Sequence, residues 1–170
     1  MTLDSDDPPS ATRFQWRAKS ILDPHYDEVQ VEWISSIGTD ALSRDAARYA
    51  PRVDIAIGPF NTAPGRAAFH EDQIWTKMRP WFDGLAANSN PRCLIAIEVV
   101  FSGSAKHLLG DILNASALGL YGLVICRESM FEKVKRNREY LEALATAGKL
   151  PTLFQNVRII SVPEFVATLG

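Results

Sequence analysis

Hydrophobic and polar positions alternate along this chain in short blocks of different period. Over residues 12–22, Phe14, Ala18, Ile21 and Leu22 recur at helical spacing and predict a short helix. Asp23 and Pro24 then have the form of an N-cap and a first-turn proline. Beyond them Tyr26, Val29, Trp33 and Ile37 continue at helical steps, while Val29, Val31 and Trp33 also alternate as in a strand. We adopt the helical reading for this segment, with Gly38 as its end. Residues 51–59 predict a strand with Val53, Ile55 and Ile57 on one face, Asp54 and Ala56 on the other, and Gly58 and Pro59 as its stop.

Residues 68–85 carry Phe69, Ile74, Trp75, Met78, Trp81, Phe82 and Leu85 as a helical stripe that Pro80 interrupts. A turn follows at Asn88, Ser89, Asn90 and Pro91. Residues 93–101 are almost continuously apolar, as in a central strand covered on both faces. Ser102, Gly103 and Ser104 break it. Ser104 is placed to cap a helix that runs to about Leu118 and stops at Gly119. A buried strand over 121–126, a long helix over 129–147, a strand over 156–162 and a short element from Pro163 complete the chain.

Helix and strand therefore alternate, which predicts an α/β fold with helices on both faces of a largely buried sheet. A two-strand meander within residues 38–66 is the alternative to strict alternation. Residues 1–11, with three Asp and a Pro pair, read as a flexible acidic tail, and residues 12–170 as one domain.

Composition narrows the class. With 46% hydrophobic and 22% charged residues in 170, a disordered, collagen-like or coiled-coil chain is excluded. A net charge of −2 gives no global attraction to nucleic acid or anionic membrane, so a polyanion site has to be a local patch. Cys93 and Cys126 lie in apolar runs and read as reduced core residues of a cytoplasmic protein. No apolar run approaches the roughly 18 residues of a membrane span, and the acidic N-terminus is the opposite of a secretory signal.

Two apolar strands each carry one charge, Asp54 and Glu98. A buried, unpaired carboxylate costs several kcal/mol, so such a group is paired, protonated or bound to a metal. Each has a small neighbour on its own face, Ala56 and Ala96, which leaves room for an ion. On adjacent strands the two would converge on a hard divalent cation such as Mg²⁺. The plainer reading has each near a strand end, paired with an arginine or facing solvent. On the next helix, Ala105, Leu108, Leu109, Ile112 and Leu113 fill one half, and Lys106, His107, Gly110, Asp111 and Asn114 the other. Lys106 in the first turn is within reach of the strand that bears Glu98. His107 and Asp111, four apart, have the spacing of metal ligands and equally of a surface hydrogen bond. Ser102 and Ser104 at the strand-to-helix junction offer a weak anion site. The basic stretch 132–138 is diluted by acids and reads as a solvated helix face.

The order Asp54 on a strand, Glu98 on the next strand, then a helix (PRVDIAIG and AIEVVFSGSAKHLLGDILNAS) resembles the PD-(D/E)xK, restriction-endonuclease-like superfamily from about Glu28 to Val162. The resemblance implies a mixed central sheet flanked by helices and metal-dependent phosphodiester hydrolysis. It implies Asp54 and Glu98 as ligands of Mg²⁺ or Mn²⁺, and a further carboxylate on the first core helix at Glu32, ahead of Glu28. The pattern's lysine belongs two residues after Glu98, where this chain has Val100; Lys106 is the candidate replacement. The 44 positions between Asp54 and Glu98 also exceed the usual hairpin spacing.

Two functions compete. One is a metal-dependent nuclease acting on nucleic acid. The other is a catalytically inactive nuclease-like domain that binds a protein or assembles as a homodimer. Phosphate-bearing small molecules held at Ser102 and Ser104 are a weaker third. The stripe Trp75, Met78, Trp81 and Phe82 is expected to supply part of a partner or dimer contact, with ordinary core as the plainer reading.

Overall fold

The computed structural model describes residues 10–35, 51–60, 77–150 and 154–170. Helix α1 (Ala11–Leu22) starts at Ser10, whose hydroxyl accepts the Arg13 N–H at 3.2 Å. Ser10 and Ala11 therefore belong to the helix start rather than to the acidic tail, of which residues 1–9 lie outside the described residues. Asp23, read from sequence as the start of a second helix, is instead the C-cap of α1 and accepts from Lys19 four residues back, Nζ to Oδ1 at 2.6 Å.

The segment that follows is strand β1 (Val29–Ile34), not a helix. It pairs antiparallel with β2 (Arg52–Ile57), Val29 opposite Ile57 and Trp33 opposite Val53. Both periods were present in the sequence. The strand wins because a neighbouring strand takes up the backbone groups and Val29 and Trp33 are both buried, a tertiary gain that local spacing does not register. Strand β2 pairs antiparallel with β3 (Cys93–Val100), β3 parallel with β4 (Gly119–Cys126), and β4 parallel with β5 (Val157–Ser161). The result is one mixed sheet in the order β1-β2-β3-β4-β5. The strict helix–strand alternation thus gives way to an antiparallel meander of β1, β2 and β3. That meander includes residues 29–34, upstream of the 38–66 window where the sequence allowed for one.

Helices cover both faces. Helix α1 and α5 (Val162–Leu169) pack on one side, over Ile55, Ile57, Ile95, Ile97, Leu123 and Ile125. Helices α3 (Ala105–Leu118) and α4 (Glu128–Thr146) pack on the other, through Leu108, Ile112, Ala115, Val134 and Leu141 over Val124 and Val157. Strands β3 and β4 are buried at every position, as expected for central strands covered twice. Helix α3 sits so close that a Cβ on Gly122 would meet the backbone carbonyl of Ala115 at 2.8 Å, so only glycine keeps α3 at this height.

The described part of the aromatic stripe is core. Only one turn of it is helical in the described residues, α2 (Arg79–Phe82), where Pro80 stands in the first turn. Met78, Trp81 and Phe82 are buried in the chain itself, with Phe82 stacked on Tyr121 at 5.0 Å and Trp81 on Phe165 at 6.1 Å. They are spent inside and leave no surface for a partner. Trp75 and the rest of the expected helix up to residue 76 lie outside the described residues. Among the described residues no helix is long and apolar enough to cross a membrane.

Candidate metal centre

The two strand acids meet. Ile55 pairs with Ile97, and one step further along come Asp54 and Glu98, directly across the β2–β3 boundary. The long interval between them in sequence does not separate these strands. Glu32 extends the row: Val31 pairs with Ile55 and Trp33 with Val53, so Glu32 lies opposite Asp54. One carboxylate per strand therefore crosses β1, β2 and β3. Glu32 occupies a strand, not the helix expected for it, and its backbone takes φ of 54°, in the left-handed region. That conformation costs a non-glycine residue about 1 kcal/mol or more and is over-represented at functional sites. Its carboxylate pairs with Arg52 at 2.9 Å on the exposed rim. Glu28 lies four residues back along β1, beside Gly58 at the far end of the β1–β2 pair, and is no part of the row.

Each helix face closes one side. From α1, the buried Gln15 hydrogen-bonds Asp54. From α3, Asp111 and Asn114 act on Glu98, Asn114 through a side-chain hydrogen bond. His107, Asp111 and Asn114 form one stripe of α3, four and three residues apart. His107 Nδ1 lies 2.9 Å from the Ser104 hydroxyl, and His107 is the cationic group that acts on Asp111.

The electrostatics is that of acids crowded without a counter-charge. Burial, then the Asp54 and Asp111 charges, push the Glu98 carboxyl up to about 10. Glu98 is thus protonated at neutral pH and donates to Asp54. Asp54 accepts the Val99 N–H at 2.7 Å, which favours its ionised form, yet burial outweighs this and its pKa is also raised. Burial and Asp54 raise Asp111 to about 6, with His107 pulling the other way. Two buried oxygens have no hydrogen-bond partner here: Glu98 Oε1, on a residue 5% exposed, and Gln15 Oε1, on one 4% exposed. In a folded protein such atoms are rare, and each marks a missing partner.

Among the described residues no group of three or more His, Cys, Asp and Glu side chains is spaced to hold a metal ion by itself. Mg²⁺ asks for less. It keeps several waters and binds through one or two carboxylates, the remainder coming from substrate phosphates. Asp54 and Glu98, with two unpartnered oxygens beside them, fit that demand.

The other candidates fall outside the cluster. Lys106 is exposed and is not among the groups that shift Asp54, Glu98 or Asp111. Val100, at the usual lysine position, is buried in the α3 face of the core. The Ser104 hydroxyl is engaged as the N-cap of α3 and with His107, and the Gly103 carbonyl accepts from Lys133 at 2.6 Å. Ser102 is exposed. Gln15 was not singled out from sequence, although a polar residue flanking the Phe14–Ala18–Leu22 stripe of a helix was the available signal. A cavity of about 390 Å³ opens elsewhere, between the 86–90 segment, the end of α3 and residues 154–156, and none of the acids lines it. Compared with protein-family models, with curated proteins and with solved structures, the chain matches none.

Proposed function

We propose that this protein is a restriction-endonuclease-like, metal-dependent nuclease in which Asp54 and Glu98 hold Mg²⁺ or Mn²⁺. The observation that carries the reading is the buried Glu98 carboxyl, in contact with Asp54, with one oxygen unpartnered and only carboxylates as charged neighbours. A polar group so placed is stabilised either by a proton or by a cation, and cation binding displaces the proton. The mixed sheet flanked by helices, with the acids where β2 meets β3, supports the same reading.

When bound, such a cation acidifies a water and stabilises charge on a phosphoryl oxygen. The chain's own residues do the rest. Asn114 and the Asp54 backbone N–H hold the Glu98 carboxyl, Val99 N–H and Gln15 hold Asp54, and Glu32 adds a third carboxylate on the rim. His107 acts on the acids through Asp111. Lys106, one residue earlier, is left as the longer-reaching cation for a phosphate outside.

Val100 favours a second reading, a catalytically inactive nuclease-like domain that serves as a protein-binding or oligomeric module. One experiment separates them. Supercoiled plasmid, linear duplex and single strands are incubated with Mg²⁺ or Mn²⁺ and either wild type or Glu98→Ala. Cleavage by wild type, reduced by more than about 100-fold in the variant, is the expected result. No cleavage by wild type, together with no Mn²⁺ binding by calorimetry, leaves the module.

A further inference from the structure

Helix α1 has a second face, and nothing above uses it. Phe14, Gln15, Ala18 and Leu22 are buried; on the opposite half, at 100° per residue, stand Arg13, Trp16, Arg17 and Ser20. Trp16 is 57% exposed, one of the largest apolar surfaces left on the described chain. No acidic residue occurs anywhere in α1, although acids outnumber bases in the whole protein. Lys19 is taken by Asp23, whereas among the described residues Arg13 and Arg17 pair with no carboxylate.

Helix stability does not explain these choices. Arg13 is the third helical residue after the Ser10 cap, where a glutamate would complete a capping box and favour the helix dipole. An arginine there is locally unfavourable, and an exposed tryptophan beside it gains nothing from burial. Local choices that run against the fold accumulate at functional sites. Gln15, whose side chain bonds Asp54, lies on the buried half of the helix, so the Arg13–Trp16–Arg17 face is turned away from the acids.

We infer that the Arg13–Trp16–Arg17 face of α1 is the docking surface for a single strand of nucleic acid, with Trp16 stacking an unpaired base and the arginines meeting its phosphates. Cations that track a backbone and an aromatic side chain that stacks a base are the pair of features single-strand binders combine. Trp16 selects against duplex, whose bases are already stacked. This inference concerns binding alone; cleavage of the bound strand would rest on the reading proposed above.

The test uses the full chain and a fluorescein-labelled oligothymidine of about 15 nucleotides, followed by anisotropy in EDTA. Saturable binding is expected, weakened about tenfold or more in Trp16→Ala. In the Arg13→Gln, Arg17→Gln double variant the salt dependence of log K should flatten by about one to two. Trp16 and Arg13 are exposed and Arg17 is half-buried, and an unchanged thermal melt checks the fold of both variants. No binding, binding unaltered in Trp16→Ala, tighter binding to a duplex of equal length, or binding to phosphatidylserine vesicles instead would each overturn the inference. Glu98→Gln separates the two proposals. Oligonucleotide binding that persists in wild type and variant without any cleavage keeps the docking face and removes the nuclease. Cleavage of single strands that ignores Trp16 and the arginines keeps the nuclease and removes the docking face.

Discussion

Two clusters of buried polar side chains lie at different places around α3, and they differ in one respect. At the C-terminal end of the helix, Asn156 donates to the carbonyls of Ser116 and Gly119 at 2.8 and 3.3 Å, and its own carbonyl accepts the Ser116 hydroxyl at 2.7 Å. Asn88 donates to the Ser116, Ala117 and Gly119 carbonyls and accepts the Asn90 N–H at 2.9 Å. Every one of these atoms is used. They satisfy the orphan carbonyls of a helix end, which is a structural task. Around Asp54 and Glu98, by contrast, two buried oxygens have no partner and three carboxyls have raised pKa values. A closed network holds the fold, and an open one awaits something. The asparagines beside the cavity are already committed to the protein.

That contrast can be broken by stability measurements. Asn156→Ala should cost about 2 kcal/mol, because it takes the acceptor from the buried Ser116 hydroxyl, while the two carbonyls keep Asn88 as donor. Urea denaturation would reveal it, and a variant as stable as wild type would show the network to be incidental. At the open cluster the response is to cation instead. Mg²⁺ or Mn²⁺ at about 100 times its dissociation constant should add about 2.7 kcal/mol to wild type and nothing to Glu98→Gln, as read by thermal melting. An equal shift in both proteins would remove Glu98 from the site.

Proton binding gives a smaller, graded effect. Folded Glu98 keeps its proton up to about pH 10, whereas the unfolded residue loses it near its ordinary 4.5. Between those limits the folded state binds more protons, so the metal-free protein should lose stability as pH rises, by up to about 1.4 kcal/mol per pH unit. Asp111 adds to the same slope between 3.8 and about 6. Chemical denaturation in EDTA at pH 6, 7 and 8 checks the sign, and Glu98→Gln should flatten the profile. The smallest change is expected on the rim. The Arg52–Glu32 pair is largely exposed, so Arg52→Ala should shift stability by less than about 1 kcal/mol. A greater loss would mean that the pair holds the left-handed backbone at Glu32.

Much of the fold was legible because the interior strands announce themselves. Residues 93–101 and 121–126 are apolar without a break of more than one residue, and burial on both faces leaves few other ways to place them. The helices over 105–118 and 128–146 carried both their periodicity and their ends, with Ser104 and Gly148 at the boundaries. Strand β1 was misread because an edge strand is half polar, and Tyr26, Val29, Trp33 and Ile37 satisfy the helical period as well as Val29, Val31 and Trp33 satisfy the other. Met78, Trp81 and Phe82 turn out to be core rather than surface for a related reason: spacing reports which residues share a face, not how many elements pack on it. In the candidate site, Asp54 and Glu98 stood out as charges in apolar strands, and Glu32 only through the resemblance. Gln15 was passed over beside a stripe that it in fact extends.

The chain's one-dimensional pattern was enough to mark the α/β class, the central strands and the two carboxylates that do not belong in them. These depend on periodicity and on the cost of burying charge, both of which are local. Adjacency of β2 to β3, the register that sets Asp54 against Glu98, and the approach of Gln15 and Asn114 from opposite faces all depend on which distant segments pair. No periodicity encodes that choice; hydrogen bonding between strands and the packing of helices over them make it.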